Sequence, residues 1–184
     1  MNGWKRSGRG AKLRLVATME PQEVVVLRGL IGEVRDMLAA RTAETPADEL
    51  AELTGIRTGS PVPPEDKVLA RLLPEFSRDD AALAGALRSL HEPALIEAKE
   101  GAAAAVLDTL PDGGGRIELT VGQADAWLAA LNDVRLALGT ALDISEDMPD
   151  ELPDDDPRTA HLGVYQWLTF VQDALVQSRL QVRF

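Results

Sequence analysis

Hydrophobic residues recur along most of this chain at the three- and four-residue spacing of an amphipathic helix. Val24, Leu27, Leu30, Ile31, Val34, Met37 and Leu38 follow that period and predict a helix over 20–41, with Pro21 in the first turn, where its missing N–H costs nothing. Gly29 and Gly32 inside it lower helix propensity and suggest a close packing partner. Val68, Leu69, Leu72 and Leu73 predict a short helix over 65–73, ended by Pro74. Leu83, Leu87 and Leu90 mark a helical stretch over 78–110, opened by a Ser77/Asp80 capping pair and expected to break or kink at Pro93. Thr120 can cap a helix over 121–142 whose apolar stripe is Ala124, Trp127, Leu128, Leu131, Val134, Leu138 and Leu142. A last helix, 157–179, carries Leu162, Tyr165, Trp167, Leu168, Val171, Leu175 and Val176. A short helix near Asp48–Leu53, ended by Gly55, is a further expectation.

Two regions follow a period of two instead. Leu13, Leu15 and Ala17 alternate along the second arm of a basic β-hairpin over 3–18. Ser7-Gly8-Arg9-Gly10 supplies its turn, and Trp4 lies on its first arm. After Gly113-Gly114-Gly115, a connector, Arg116–Leu119 reads as one more short strand. The fold class expected is mainly α: a single helical domain over 1–184 with a small N-terminal β-hairpin and one further short strand. Residues 143–156, rich in acids and holding Pro149 and Pro153, read as an acidic loop.

At 184 residues, 45 % hydrophobic and 27 % charged, the chain can bury a sizeable core. It has no cysteine, which removes disulfides, thiolate metal sites, thiol nucleophiles and a thiol redox switch. The net charge of −11 opposes non-specific binding to nucleic acid or anionic membranes. Five bases and no acid fall in the first eighteen residues, so the remainder is more acidic than the whole. No long apolar run and no apolar signal core are present, and a cytoplasmic location is expected.

No P-loop or nucleophile-elbow pattern occurs, and no catalytic residue, cofactor or metal site is expected. His91 and His161 read as surface residues. Asn132, Asp133 and Arg135 border an apolar helix stripe, and two readings stay open. They form either a structural polar clamp, Arg135 pairing with a carboxylate of another helix, or a site for a carboxylate or phosphate ligand. Tyr165 and Trp167, two residues apart, point different ways on a helix, so one of them should lie nearer the surface as an anchor for a partner. Asp147, Asp150, Glu151, Asp154, Asp155 and Asp156 would attract a basic partner. Lys5, Arg6, Arg9 and Lys12 form a basic patch beside Trp4 that suits either a small nucleic-acid contact or an acidic protein surface.

Three stretches together resemble one family: Arg71-Leu-Leu-Pro74 with Arg78-Asp-Asp80; Trp127 with Leu131-Asn-Asp-Val-Arg-Leu-Ala-Leu-Gly-Thr140; and Tyr165-Gln-Trp-Leu168 with Gln172 and Leu175. The chain is similar to an actinobacterial family of unknown function, usually encoded beside the protease adaptor ClpS, that includes the oxidative-stress transcriptional regulator AosR. The resemblance spans nearly the whole chain and implies a cytosolic regulator without a catalytic site. It implies a protein partner, such as a sigma factor or a Clp-related component, reached here without a cysteine switch. The expected function is therefore a non-enzymatic regulatory protein-interaction module, with self-association possible. The alternatives are a small-molecule binder or enzyme at Asn132/Arg135 and a DNA contact through the hairpin.

Overall fold

The computed structural model describes residues 1–45, 58–145, 147, 152–153 and 155–180. Strand β1 (Asn2–Ser7) and strand β2 (Arg14–Met19) form the hairpin, joined through a single 3-10 turn at Gly10–Lys12. Helix α1 spans Pro21–Ala43, α2 Lys67–Leu72, α3 Ala81–Thr109, α4 Val121–Ala141 and α5 Thr159–Leu180; strand β3 (Gly115–Leu119) lies between α3 and α4. The fold class expected from the pattern is the one observed. The expected helix near Asp48–Leu53 lies outside the described residues.

The three strands form an antiparallel sheet in the order β1-β2-β3. Register puts Leu15 opposite Leu119 and Ala17 opposite Ile117, so these four buried apolar side chains share one face of the β2–β3 pair. The hairpin turn depends on Gly8: at φ +82° a Cβ there would meet the Lys12 carbonyl oxygen at 2.3 Å. Helix α4 takes the central place, packed against α1, α2, α3, α5 and the sheet. Its start is a complete capping box: Thr120 Oγ1 accepts from the Gln123 N–H at 3.2 Å, and Gln123 Oε1 accepts from the Thr120 N–H at 2.9 Å. Trp127, fully buried on α4, donates its indole N–H to Thr109 Oγ1 at 2.8 Å. Trp4 is also buried and meets Trp127 edge-to-face at 5.5 Å, so it is a core residue rather than an anchor.

Three expectations need correction. Helix α3 starts at Ala81 rather than near 78, because the Asp80 carboxylate accepts from the Leu83 N–H at 2.9 Å and makes Asp80 the cap. Helix α3 also runs through Pro93 without ending. A proline leaves the carbonyl four residues earlier without its donor; here that carbonyl, of Ser89, accepts from the Gly59 N–H at 2.7 Å. Ser89 Oγ donates in return to the Gly59 carbonyl at 2.8 Å. The segment is so close that a Cβ at Gly59 would sit 3.3 Å from the Pro93 ring. The third correction concerns Gly29 and Gly32: a Cβ on either would meet nothing within 4 Å, so no packing partner among the described residues covers them.

Under this segment lies a charge cluster with no counterpart in the sequence reading. Glu92 on α3 is 2 % exposed and is held by two arginines that are almost as buried, Arg41 of α1 and Arg88 of α3. Arg41 Nε donates to Glu92 Oε1 at 2.7 Å, and Arg88 Nη1 donates to Glu92 Oε2. Arg41 also reaches the Val62 carbonyl at 2.5 Å and Glu44 at 2.6 Å. Arg88 reaches the carbonyls of Leu73 at 3.2 Å and Pro74 at 3.3 Å. Desolvation opposes the Arg41 charge, but the hydrogen bonds it donates to Glu92 and Glu44 outweigh it and raise its pKa. One carboxylate thus ties together α1, α3, the 59–62 segment and the end of α2.

Removing that carboxylate strands two buried cations. Glu92→Ala is expected to cost about 3–5 kcal/mol in urea unfolding. Glu118→Ala, which breaks the exposed pair with Arg116, is expected to cost under about 1 kcal/mol in the same assay.

Candidate functional site

The periodicity of α5 gives it two distinct working sides. Residues 165, 169 and 172 are one and two turns apart, so they face a single neighbour, and that neighbour is α4. Trp167, two residues from Tyr165, points towards α1 instead. Tyr165 and Trp167 are both half-buried.

On the α4 side the guanidinium of Arg135 meets three neutral groups. Its Nε donates to Thr169 Oγ1 at 3.1 Å, Nη1 to Gln172 Oε1 at 2.6 Å and Nη2 to the Tyr165 hydroxyl at 3.4 Å. The cation also stands 5.3 Å from the centre of the Tyr165 ring. Gly139, one turn further along α4, seats that ring: a Cβ there would lie 3.2 Å from Tyr165 Cε2. The expected carboxylate partner for Arg135 is absent among the described residues. The carboxylate pair in this region is Asp133 with Lys99 of α3, at 2.6 Å and largely buried. Asn132 is exposed and stands outside the cluster. The clamp expected of Asn132, Asp133 and Arg135 is therefore two separate devices, Asp133 binding α3 and Arg135 binding α5.

On the other side of α5 an open groove of about 250 Å³ runs against α1. Gln22, Glu23 and Val26 line one wall, and Ala160, Gly163, Val164 and Trp167 the other. The Trp167 indole N–H donates to Glu23 Oε1 at 3.1 Å, which fixes the ring across the groove. Burial disfavours ionised Glu23. Hydrogen bonds from the Met1 amino group, the Glu20 N–H and Trp167 outweigh it and hold its pKa below the ordinary 4.5. Val25 and Phe170 are large apolar residues exposed on α1 and α5 respectively.

Of the acidic candidates, Asp147 and Asp155 are exposed, while Asp150, Glu151 and Asp154 lie outside the described residues. Asp156 is engaged by its neighbour Arg158, which donates from its backbone N–H at 2.8 Å and from Nε and Nη2 at 3.1 and 2.8 Å. Lys5, Arg6, Arg9 and Lys12 are exposed on the hairpin. Lys5 and Arg6 border a second cleft, of about 520 Å³, between β1 and α5. His161 is exposed, and His91, also exposed, stacks on Phe76 at 6.1 Å. The sequence reading missed Thr169 as a partner of Arg135 and Glu23 as a partner of Trp167. The seven-residue row on α5 was the available signal for the first; the second pair is 144 residues apart and left none.

The segments behind the family resemblance thus meet in space, with Arg135 and Gly139 on α4 facing Tyr165 and Gln172 on α5. The model of a family described as a domain of unknown function, DUF2017, matches residues 1–178. The chain belongs to that family. It is 46 % identical over 186 residues to the oxidative stress regulator AosR of Mycobacterium tuberculosis (strain ATCC 25618 / H37Rv), covering 94 % of this chain and 85 % of that protein. The AosR of Mycobacterium bovis (strain ATCC BAA-935 / AF2122/97) matches to the same extent. The putative oxidative stress regulator AosR of Mycobacterium leprae (strain TN) is 43 % identical, over 94 % of this chain and 86 % of its own. No solved structure matches the chain.

Two outcomes test the geometry. Gly139→Val should push the Tyr165 ring off Arg135 and cost about 1–3 kcal/mol, with the change visible in the resonances of this single tyrosine. The Asp156 carboxyl, held by the Arg158 side chain and N–H, should titrate at about 2 and move back towards 3.8 in Arg158→Ala, as followed by carboxyl NMR. Because the folded pKa is depressed, any stability it contributes is complete above 3.8 and lost as pH falls through about 2.

Proposed function

We propose that this chain is a non-enzymatic regulatory protein that works by docking onto a basic protein partner. The reading is carried by Trp167, held across an open, mostly apolar groove between α1 and α5 in a chain 46 % identical to proteins described as oxidative stress regulators. Aromatic side chains fixed in a groove are the residue type that dominates interface energetics. The net charge of −11 and the exposed acids Asp147 and Asp155 favour encounter with a positively charged surface. The same net charge opposes anionic lipid surfaces, so the partner is sought among proteins rather than lipids. A sigma factor or a Clp-related component is the partner class proposed. With no cysteine in this chain, oxidant sensing by thiol chemistry falls to another molecule.

Affinity capture from the cognate lysate, with wild type and Trp167→Ala compared at low and high salt, tests the reading. A basic protein retained by wild type, weakened by salt and lost from Trp167→Ala is the expected result. Recovery of the same proteins by both variants, or of none, would remove the groove from the function.

A further inference from the structure

We propose that Arg135 and Tyr165 form a binding site for a small organic carboxylate on the α4–α5 face. This site is separate from the groove, because Tyr165 and Trp167 look out from opposite sides of α5, and it stands whether or not the docking reading does.

The argument starts from charge. The chain has thirty acids for nineteen lysines and arginines. Arg41, Arg88, Lys99, Arg116, Arg158 and Arg179 each have a carboxylate oxygen within 2.8 Å. Arg135 has none within 4 Å among the described residues, although it is ordered by more side chains than most of these. A threonine hydroxyl, a glutamine carbonyl and a tyrosine fix its direction and leave its charge whole. Acids are abundant, so an oriented guanidinium that none of them neutralises is available to an outside anion.

The donors that remain point to the class of ligand. A guanidinium has five N–H groups, and three of Arg135's are engaged, so Nη1 and Nη2 each keep one. The Tyr165 hydroxyl accepts from Nη2 and keeps its own proton. The two remaining N–H groups sit on neighbouring nitrogens, one of them 3.4 Å from the Tyr165 hydroxyl, and a planar carboxylate accepts from such a set in a forked manner. A phosphate dianion would bring two charges to a single cation on a protein of net charge −11. A monocarboxylate matches the one positive charge.

The set is also held in advance. Thr169 Oγ1 donates its proton to the Tyr165 carbonyl at 2.9 Å, so only its lone pairs can face Arg135. Gln172 Nε2 donates to the Leu128 carbonyl at 3.5 Å, which turns its oxygen towards Nη1. Gly139 keeps the Tyr165 ring down against α4. Arg135, Tyr165, Thr169 and Gln172 are all half-buried, shielded enough to strengthen a charge-assisted bond and open enough for a small acid to reach. An acidic protein is a poorer source of the carboxylate, because the like net charges repel at long range.

The single tyrosine makes the test direct. The full chain, labelled with ¹³C-tyrosine and ¹⁵N-arginine, is titrated with sodium acetate and separately with sodium chloride at matched ionic strength. The expected result is saturating movement of the Tyr165 ring and Arg135 Nε–H signals with acetate only. Tyr165→Phe should keep the fold by circular dichroism and weaken acetate binding about five-fold, read at Arg135. Arg135→Lys should keep the charge, lose the fork and weaken it about ten-fold. No movement with acetate, or the same movement with chloride, would overturn the proposal. Saturation by a capped glutamate peptide but not by acetate would also overturn it, by making the ligand a protein side chain.

Discussion

Glu92 is the constraint on which most of the helical architecture rests. A carboxylate 2 % exposed is costly to bury unless both its oxygens are paired, and Arg41 and Arg88 pair them. Each arginine has donors to spare, and these go to backbone carbonyls of segments that lack regular structure. The fold thereby holds the backbone at Val62 and Pro74 in place, and adds a polar tie to Leu73, whose side chain is already in the apolar core. The arrangement also allows Pro93 to sit mid-helix. The 59–62 segment anchored by Arg41 delivers the Gly59 N–H to the carbonyl that the proline leaves without a donor.

How much of this the sequence discloses depends on distance along the chain. The stripes of α1, α4 and α5, the Thr120–Gln123 cap and the alternation of Leu15 and Ala17 are local patterns, and the structure follows them. The continuation through Pro93 is settled by a donor thirty residues away, and no window around the proline contains it. Arg88 and Glu92 are four apart on one helix, which hints at a pair. Nothing in the sequence marks Arg41, 51 residues from Glu92, as the second partner or the group as buried. Helix propensity at Gly29 and Gly32 suggested a close neighbour, and the structure leaves both open.

The candidate site shows the same division. Asn132, Asp133 and Arg135 lie within four residues of one another, and their spacing reads as one polar group beside an apolar stripe. What spacing could not give is the rotation of α4 among its neighbours. That rotation sends Asp133 to Lys99 on α3 and Arg135 to α5, and it leaves Asn132 in solvent. The identity of the groups opposite Arg135 depends on the seating of α5, which Gly139 decides by admitting the Tyr165 ring.

The seating of α5 also governs the groove. Helix α5 packs chiefly on α4 and β1, and Ser178 Oγ fastens it to the Trp4 carbonyl at 2.9 Å. Across the groove its link to α1 is the Trp167–Glu23 hydrogen bond. The position of Trp167 therefore follows from contacts on the far side of its own helix, through Tyr165, Thr169 and Gln172. A rigid helix transmits a change of seating along its whole length, because its backbone hydrogen bonds leave no soft joint between residues 165 and 167. In this fold, the polar cluster on α4 and the apolar groove on α1 are two consequences of how one helix is set down.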